Sequence, residues 1–181
     1  MTAFDLHRRP FVVGIGGTTR AASSTERALS FALRGAQAAG ARTRLFDGPF
    51  LHTLPHYAPE HKTLTDAQRE LRADDRPYLD GRAVGLIVTA YGWQAAGTVL
   101  TSLRSIVHAL RGWPTPFGAT VNTLETRFDS AESCSDPKVV AQLETVGTQA
   151  AEFALAFASH RAASHAASVD ALAPVLKIAN Q

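Results

Sequence analysis

The chain reads as an α/β protein: a parallel sheet with helices on both faces. Three observations carry that expectation. Apolar runs of strand length alternate with stretches of helical periodicity along the sequence. The first apolar run, Val12-Val13-Gly14-Ile15, passes directly into a Gly- and hydroxyl-rich loop that opens a helix. The length of 181 residues, 45% hydrophobic and 19% charged, suits one domain with a core of its own.

The elements follow in order. Residues 11–15 form a short apolar run, expected as a buried strand. A helix is expected over 24–39, with Ala28, Leu29, Ala32, Leu33 and Ala36 on one side and Gly40 just past its end. Residues 42–46 alternate as a second strand, and 47–59 is a loop holding three prolines. Thr65 and Gln68 make a capping box for a short helix to about residue 73. Residues 83–89, Ala-Val-Gly-Leu-Ile-Val-Thr, are the clearest strand. A loop over 90–97 then leads to a helix over 98–111, striped by Val99, Leu100, Leu103, Ile106, Val107 and Leu110 and stopped by Gly112 and Pro114. Residues 117–121 form a fourth strand, and 122–135 an irregular loop. Asp136 caps a last long helix that has Pro137 at its first position and Val139, Leu143, Val146, Ala150, Phe153 and Phe157 on its buried face. Residues 159–181 are rich in Ala and Ser; Val175–Ile178 either docks or is a loose tail.

Chemistry concentrates in the loop Gly16-Gly17-Thr18-Thr19-Arg20-Ala21-Ala22-Ser23-Ser24-Thr25. A helix N-terminus leaves backbone N–H groups free, and its dipole favours an anion. Gly16 and Gly17 let a ligand approach the backbone; Thr18, Ser23, Ser24 and Thr25 add hydroxyls, and Arg20 adds a planar cation. There is no Walker-type Gly-x-x-x-x-Gly-Lys-Ser/Thr, and Thr19 stands where a dinucleotide fingerprint needs its third Gly. The loop therefore suits a terminal phosphate monoester. An ordinary strand-to-helix turn with a capping box from Ser23 to Glu26 is the alternative. In a parallel sheet ligands bind beyond the carboxyl ends of the strands, so loops 16–25 and 90–97 are expected side by side.

Composition narrows the classes. The net charge is +2, and the 18 basic residues are scattered, which argues against nucleic acid as the main partner. Residues 1–10 are polar and contain Arg8, Arg9 and Pro10, so no secretory signal is expected. No apolar run approaches the roughly 20 residues that cross a bilayer, and no membrane partner is expected. Cys134 is the only cysteine, which excludes an intramolecular disulfide and fits a cytoplasmic protein. It lies between two serines with no basic neighbour and is expected to be inert. His52, His56 and His61 do not share a helical metal-binding spacing and are expected as exposed loop residues, with His56 and Tyr57 near the ligand mouth. His108 lies opposite the apolar stripe, at the surface or a subunit contact. Asp66, Asp74, Asp75 and Asp80 read as a solvated acidic stretch rather than a catalytic pair. No metal site is expected.

Taken together, these motifs resemble the NADPH-dependent FMN reductase family, of flavodoxin-like fold. The family's phosphate loop, Gly-Ser-x-Arg-x-x-Ser-x-Asn/Thr, is here Gly17-Thr18-Thr19-Arg20-Ala21-Ala22-Ser23-Ser24-Thr25, and its Leu-Pro-x-Tyr is Leu54-Pro55-His56-Tyr57. A second block runs from about residue 77 to 157 and includes Asp80-Gly81-Arg82-Ala83-Val84-Gly85 and Gly112-Trp113-Pro114-Thr115-Pro116. The resemblance implies a three-layer flavodoxin-like domain over 1–160 with a C-terminal tail over 161–181. It implies FMN with its phosphate on Thr18, Arg20, Ser23, Ser24 and Thr25, and its ring near Tyr91, Gly92, Trp93 and Gln94. NADPH would deliver hydride to the flavin directly, so no acid–base residue is required. The reduced flavin would serve a partner monooxygenase, a quinone or a small organic acceptor, and the chain would form a homodimer or higher oligomer.

One departure qualifies all of this. A flavodoxin-like sheet has five strands, and this chain offers four. The family's Pro-x-Tyr-x-Gly/Ser loop beside the flavin ring, and the Lys-Asn-Ala-x-Asp of the next helix, are missing. By that register a strand–loop–helix unit is absent between Tyr57 and Pro77. Either strand 83–89 moves beside the first strand and brings Tyr91 and Trp93 to the ring, or the ring site is lost. In the second case the chain is completed by a partner, or is a non-redox protein such as a biosynthetic accessory enzyme or binding subunit. An ordered tail is expected to cover apolar surface that the absent unit leaves exposed.

Overall fold

Alternation along the first strand sets the architecture. In the computed structural model, which describes residues 9–56, 58, 60, 63–72 and 75–178 (backbone alone for 161, 162 and 165–178), Phe11–Ile15 forms β1. The Cα of Gly14 faces Leu29 and Leu33, so Val12 and Gly14 look toward the helix that follows, and Phe11, Val13 and Ile15 look away. That helix, α1 (Ser24–Ala38), ends as the sequence indicates: Gly40 takes a φ of +88°, left-handed backbone that glycine adopts without strain. β2 (Arg42–Phe46) then pairs with β1 in parallel, Phe11 with Arg42 through Ile15 with Phe46.

The proline-containing loop holds a short helix, α2 (Gly48–His52), capped by Asp47, whose Oδ1 accepts from the Phe50 N–H at 2.9 Å. α3 (Asp66–Leu71) carries the full capping box, Thr65 with Gln68, that its sequence announces. The third apolar run splits into β3 (Ala83–Val84) and β4 (Ile87–Ala90), paired in parallel with β5 (Trp113–Pro114) and β6 (Ala119–Asn122). The split has a local cause. Val84 faces Pro114 and Ile87 faces Ala119, so three steps on one strand meet five on the other. The surplus at 115–118 includes Pro116, which has no N–H for a ladder. The Arg104 guanidinium, from α4 (Trp93–Ala109), holds the bulge by donating to the carbonyls of Thr115 and Pro116 at 3.0 and 2.8 Å.

The last helix, α5 (Pro137–Ile178), lies along α1. The two cross at glycines: a Cβ on Gly35 would sit 2.1 Å from the Glu144 carbonyl oxygen, and one on Gly147 1.7 Å from that of Ala32. Between α1, α5 and the β6 side of the sheet sits the main core, Ala28, Phe31, Ala119, Val121, Phe128, Val139, Leu143 and Val146. α4 covers the opposite face, because Gly118 looks at Leu100 and Arg104 while Ala119 and Val121 look into the core.

Several sequence expectations change here. The four strands do not make one continuous sheet. β1–β2 and the β3–β6 ladders share no hydrogen bond among the described residues, so strand 83–89 has not closed up against β1. A cavity of about 1130 Å³ separates them. Phe153 is 38% exposed, Val99 and Ile106 are exposed on the α4 stripe, and Phe31 is a core residue that the expected stripe of α1 left out. The C-terminal residues continue α5 without a break through 178. At 42 residues the helix is about 63 Å long.

Candidate functional site

β1 hands over to α1 through a loop that is tied down at several points. Ser23 is buried at the N-cap, and its Oγ accepts from the Glu26 N–H at 3.2 Å. The other half of the expected capping box is not made. The Glu26 carboxylate instead accepts from the N–H groups of Ala22 at 3.2 Å and Gly48 at 3.1 Å. Ala22 has a φ of +51°, a conformation this bond helps to hold. Gly48 is there for space: a Cβ would lie 2.7 Å from the Thr19 backbone and 2.8 Å from that of Arg20. Thr18 Oγ1 accepts from the Arg20 N–H at 3.1 Å, which curls the loop and leaves the Arg20 side chain exposed. Among the described residues no protein acceptor takes the backbone N–H of Thr19, Ser24 or Thr25. These are the groups a helix N-terminus offers an anion.

The second predicted loop proves shorter than its sequence suggested. α4 begins at Trp93 with Gly92 as its N-cap, so Trp93 and Gln94 occupy the first helical turn, and only Tyr91 and Gly92 remain as connection. Ala95 and Ala96 are strong helix formers, and they carry the helix across Gly97. Tyr91 is 78% exposed and Trp93 52% exposed, so neither packs between helix and sheet. Trp93 is nevertheless oriented. Its Nε1 donates to Glu125 Oε1 at 2.9 Å, and the buried Asn122 donates to the same oxygen at 2.6 Å. Asn122 Oδ1 accepts from the Leu124 N–H at 3.1 Å, closing the turn after β6.

These segments meet. Thr25 Oγ1 and Thr89 Oγ1 lie 2.7 Å apart, joining the first turn of α1 to the carboxyl end of β4. The expectation that the two loops are neighbours therefore holds, although no ladder joins their strands. The amino ends of α1 and α4 sit on the same edge as the exposed side chains of Ile15, Tyr91, Trp93 and Leu124. Arg20 is the cation of this edge, and Glu26 and Glu125 are carboxylates already engaged in hydrogen bonds. Chemically, the edge offers amide and hydroxyl donors for an oxyanion beside flat apolar surface for a ring. Sequence reading found the loop and both aromatics but missed Asn122 and Glu125. Their one signal was position, directly after the fourth strand, at the end where such sheets bind.

The remaining candidates lie elsewhere. His52 is exposed at the end of α2, and His56 and His108 are exposed as well. Tyr57, His61 and Asp74 lie outside the described residues. Cys134 is half-buried, bridges Phe128 and contacts the Asp136 carbonyl. Asp66 and Asp75 pair with Arg69 and Arg72, and Asp80 is half-buried. Among the described residues no cluster of His, Cys, Asp and Glu is arranged to hold a metal ion, and no helix is long and apolar enough to cross a membrane. No protein-family model matches the chain, and no curated protein matches it.

Proposed function

We propose that this edge binds a phosphate monoester joined to a planar ring, and that the protein is a flavodoxin-like, FMN-dependent oxidoreductase using NADPH. The observation that carries the reading is the Thr25–Thr89 hydrogen bond, because it brings a hydroxyl-rich helix start and a second helix start to one place beside Tyr91 and Trp93. The residues suit the phosphate end: the free amides of Ser24 and Thr25, the hydroxyls of Thr18 and Ser24, and the Arg20 guanidinium supply donors of three kinds. At the ring end the fit rests on Tyr91 and Trp93, the latter steadied by Glu125. A bound FMN would supply hydride acceptance and donation. The chain's own task would be to anchor the phosphate, stack the ring and hold an acceptor molecule or partner monooxygenase nearby.

A second reading is a non-redox protein on the same scaffold, and one observation favours it. The Glu26 carboxylate accepts from one amide of the phosphate loop, Ala22, and from Gly48 of α2, a position where a phosphate dianion would feel its repulsion. An FMN titration followed by flavin absorbance and fluorescence separates the two. Micromolar or tighter binding that weakens at least about 10-fold in Arg20→Ala supports the flavoprotein. Absence of binding in the folded wild type refutes it.

A further inference from the structure

The two halves of the sheet face each other across the cavity with unpaired backbone edges. In an extended strand the N–H and C=O of one residue point to one edge and those of the next to the other. The Pro10 carbonyl accepts from the Arg42 N–H, so Phe11, Val13 and Ile15 of β1 direct their peptide groups into the cavity. On the far wall the carbonyls of Arg82, Val84 and Leu86 accept from Trp113, Thr115 and Ala119, so Ala83, Gly85 and Ile87 direct theirs inward. Among the described residues no hydrogen bond reaches these inward-facing peptide groups. Phe11 and Ile15, at the two ends of β1, are 52% and 54% exposed, so the edge is reachable from solvent. The helix side of the cavity is apolar, lined by Leu29 and Leu33 of α1 and Val146 and Ala150 of α5. The opposite side is charged. Arg44 shares the face of Val13, which looks away from α1, and Arg72, Arg76 and Arg82 line the cavity with it.

The volume of about 1130 Å³ exceeds the roughly 300–1,000 Å³ of ordinary small-molecule sites. An aliphatic ligand would leave both rows of peptide groups without partners, and such groups are costly to leave dry. An extended peptide matches both rows at once, because its own N–H and C=O groups alternate between its two edges. We infer that the cavity receives an extended segment of a partner protein as an added strand, in which apolar side chains alternate with acidic ones. The alternation follows from the walls. Successive side chains of an inserted strand point by turns to the apolar helix side and to the arginine side. The arginine side selects acid: it carries four guanidinium groups and, among the described lining residues, one carboxylate, Glu70. Arg44 pairs with Glu70 and Arg72 with Asp75, but both pairs are well exposed, so an incoming carboxylate can share or replace them at little cost. The five residues of β1 span about 17 Å, which sets the paired stretch at about five residues.

The test uses the full chain and synthetic peptides. The probe is an acetylated, amidated Val–Glu repeat of about seven residues. Isothermal titration is expected to give a Kd of about 100 μM or tighter. The same repeat with Lys in place of Glu is expected to bind at least about 10-fold more weakly. So is the Val–Glu repeat N-methylated at every Val, which loses the N–H groups along one edge. NMR amide exchange of Phe11, Val13 and Ile15 is expected to be fast in the free protein and slowed at least about 10-fold by saturating probe. Val13→Pro removes an inward N–H that the β1–β2 ladder does not use. It is expected to keep the wild-type far-UV spectrum and to weaken probe binding at least about 10-fold; if it unfolds, the N-methylated probe on the wild-type chain reads the same class of bond. No binding at about 1 mM probe overturns the inference. Equal binding of the N-methylated probe overturns it, because the apolar wall alone would then hold the ligand, and equal binding of the Lys repeat overturns the acidic assignment. Slow exchange of the three amides in the free protein also overturns it, because that edge would already be paired.

Discussion

Gly147→Ala probes the contact on which both halves of the molecule lean. The added methyl would lie 1.7 Å from the Ala32 carbonyl oxygen, where ordinary contact begins at 3.4 Å. α1 and α5 must therefore part by well over 1 Å or tilt, and either motion loosens Phe31, Leu143 and Val146, all almost wholly buried. The Thr148 hydroxyl bond to the Gly35 carbonyl at 3.2 Å and the Arg34–Glu144 pair at 3.1 Å cross the same seam. Alanine gains about 1 kcal/mol in helix propensity. Overpacking of this severity costs about 3 kcal/mol. The net expectation is about 2 kcal/mol of destabilisation, which for a chain of this size lowers Tm by roughly 4–8 °C. Differential scanning calorimetry reads it directly. Gly35→Ala is expected to behave alike, and the double variant to lose less than the sum, because one separation of the helices relieves both clashes. A Tm equal to or above wild type in Gly147→Ala would mean that the helices do not touch there, and the packing argument would fail.

Three further outcomes follow from the loop. Ser23→Ala removes the α1 cap and is expected to cost about 1 kcal/mol, seen as a Tm lower by about 2–4 °C. Glu26→Gln keeps an acceptor for one of the Ala22 and Gly48 amides while removing the charge; inorganic phosphate and FMN are expected to bind more tightly by isothermal titration, and unchanged affinity would show that the carboxylate does not face the anion. Gly48→Ala drives a methyl into the Thr19–Arg20 backbone and is expected to weaken FMN binding at least about 10-fold while the far-UV spectrum stays that of the wild type.

Local signals in the chain translated well into local structure. The caps at Ser23, Thr65 and Asp136 and the left-handed Gly40 sit where short-range chemistry dictates, because each needs only its immediate neighbours. Long-range relations were harder to read. The division of residues 83–90 into two strands depends on Pro114 and Pro116 some thirty residues away, and the start of α4 at Trp93 was hidden by Gly92 and Gly97 on either side of it. Glu26 looked like half of a capping box, yet Gly48, which shares its carboxylate, reaches it only through the pairing of β1 with β2. The gap between the sheet halves shows in the structure as two sets of ladders with no hydrogen bond between them among the described residues. That the vacancy would stay open along β1, rather than close, was a question of packing, and no local pattern encodes it.

The divided sheet has a consequence for biogenesis. Residues 11–46 and 83–122 each close their own ladders from nearby segments, so both form from contacts of short range in the chain. α5 is translated after both and lies on α1 and β6 at once, adding to the direct Thr25–Thr89 link between α1 and β4. Until it emerges from the ribosome, Ala28, Phe31, Ala119 and Val121 lack the α5 side of their core, and apolar surface so uncovered favours association with other chains. A chain ending before Pro137 lacks Val139, Leu143 and Val146 and so lacks one wall of the main core.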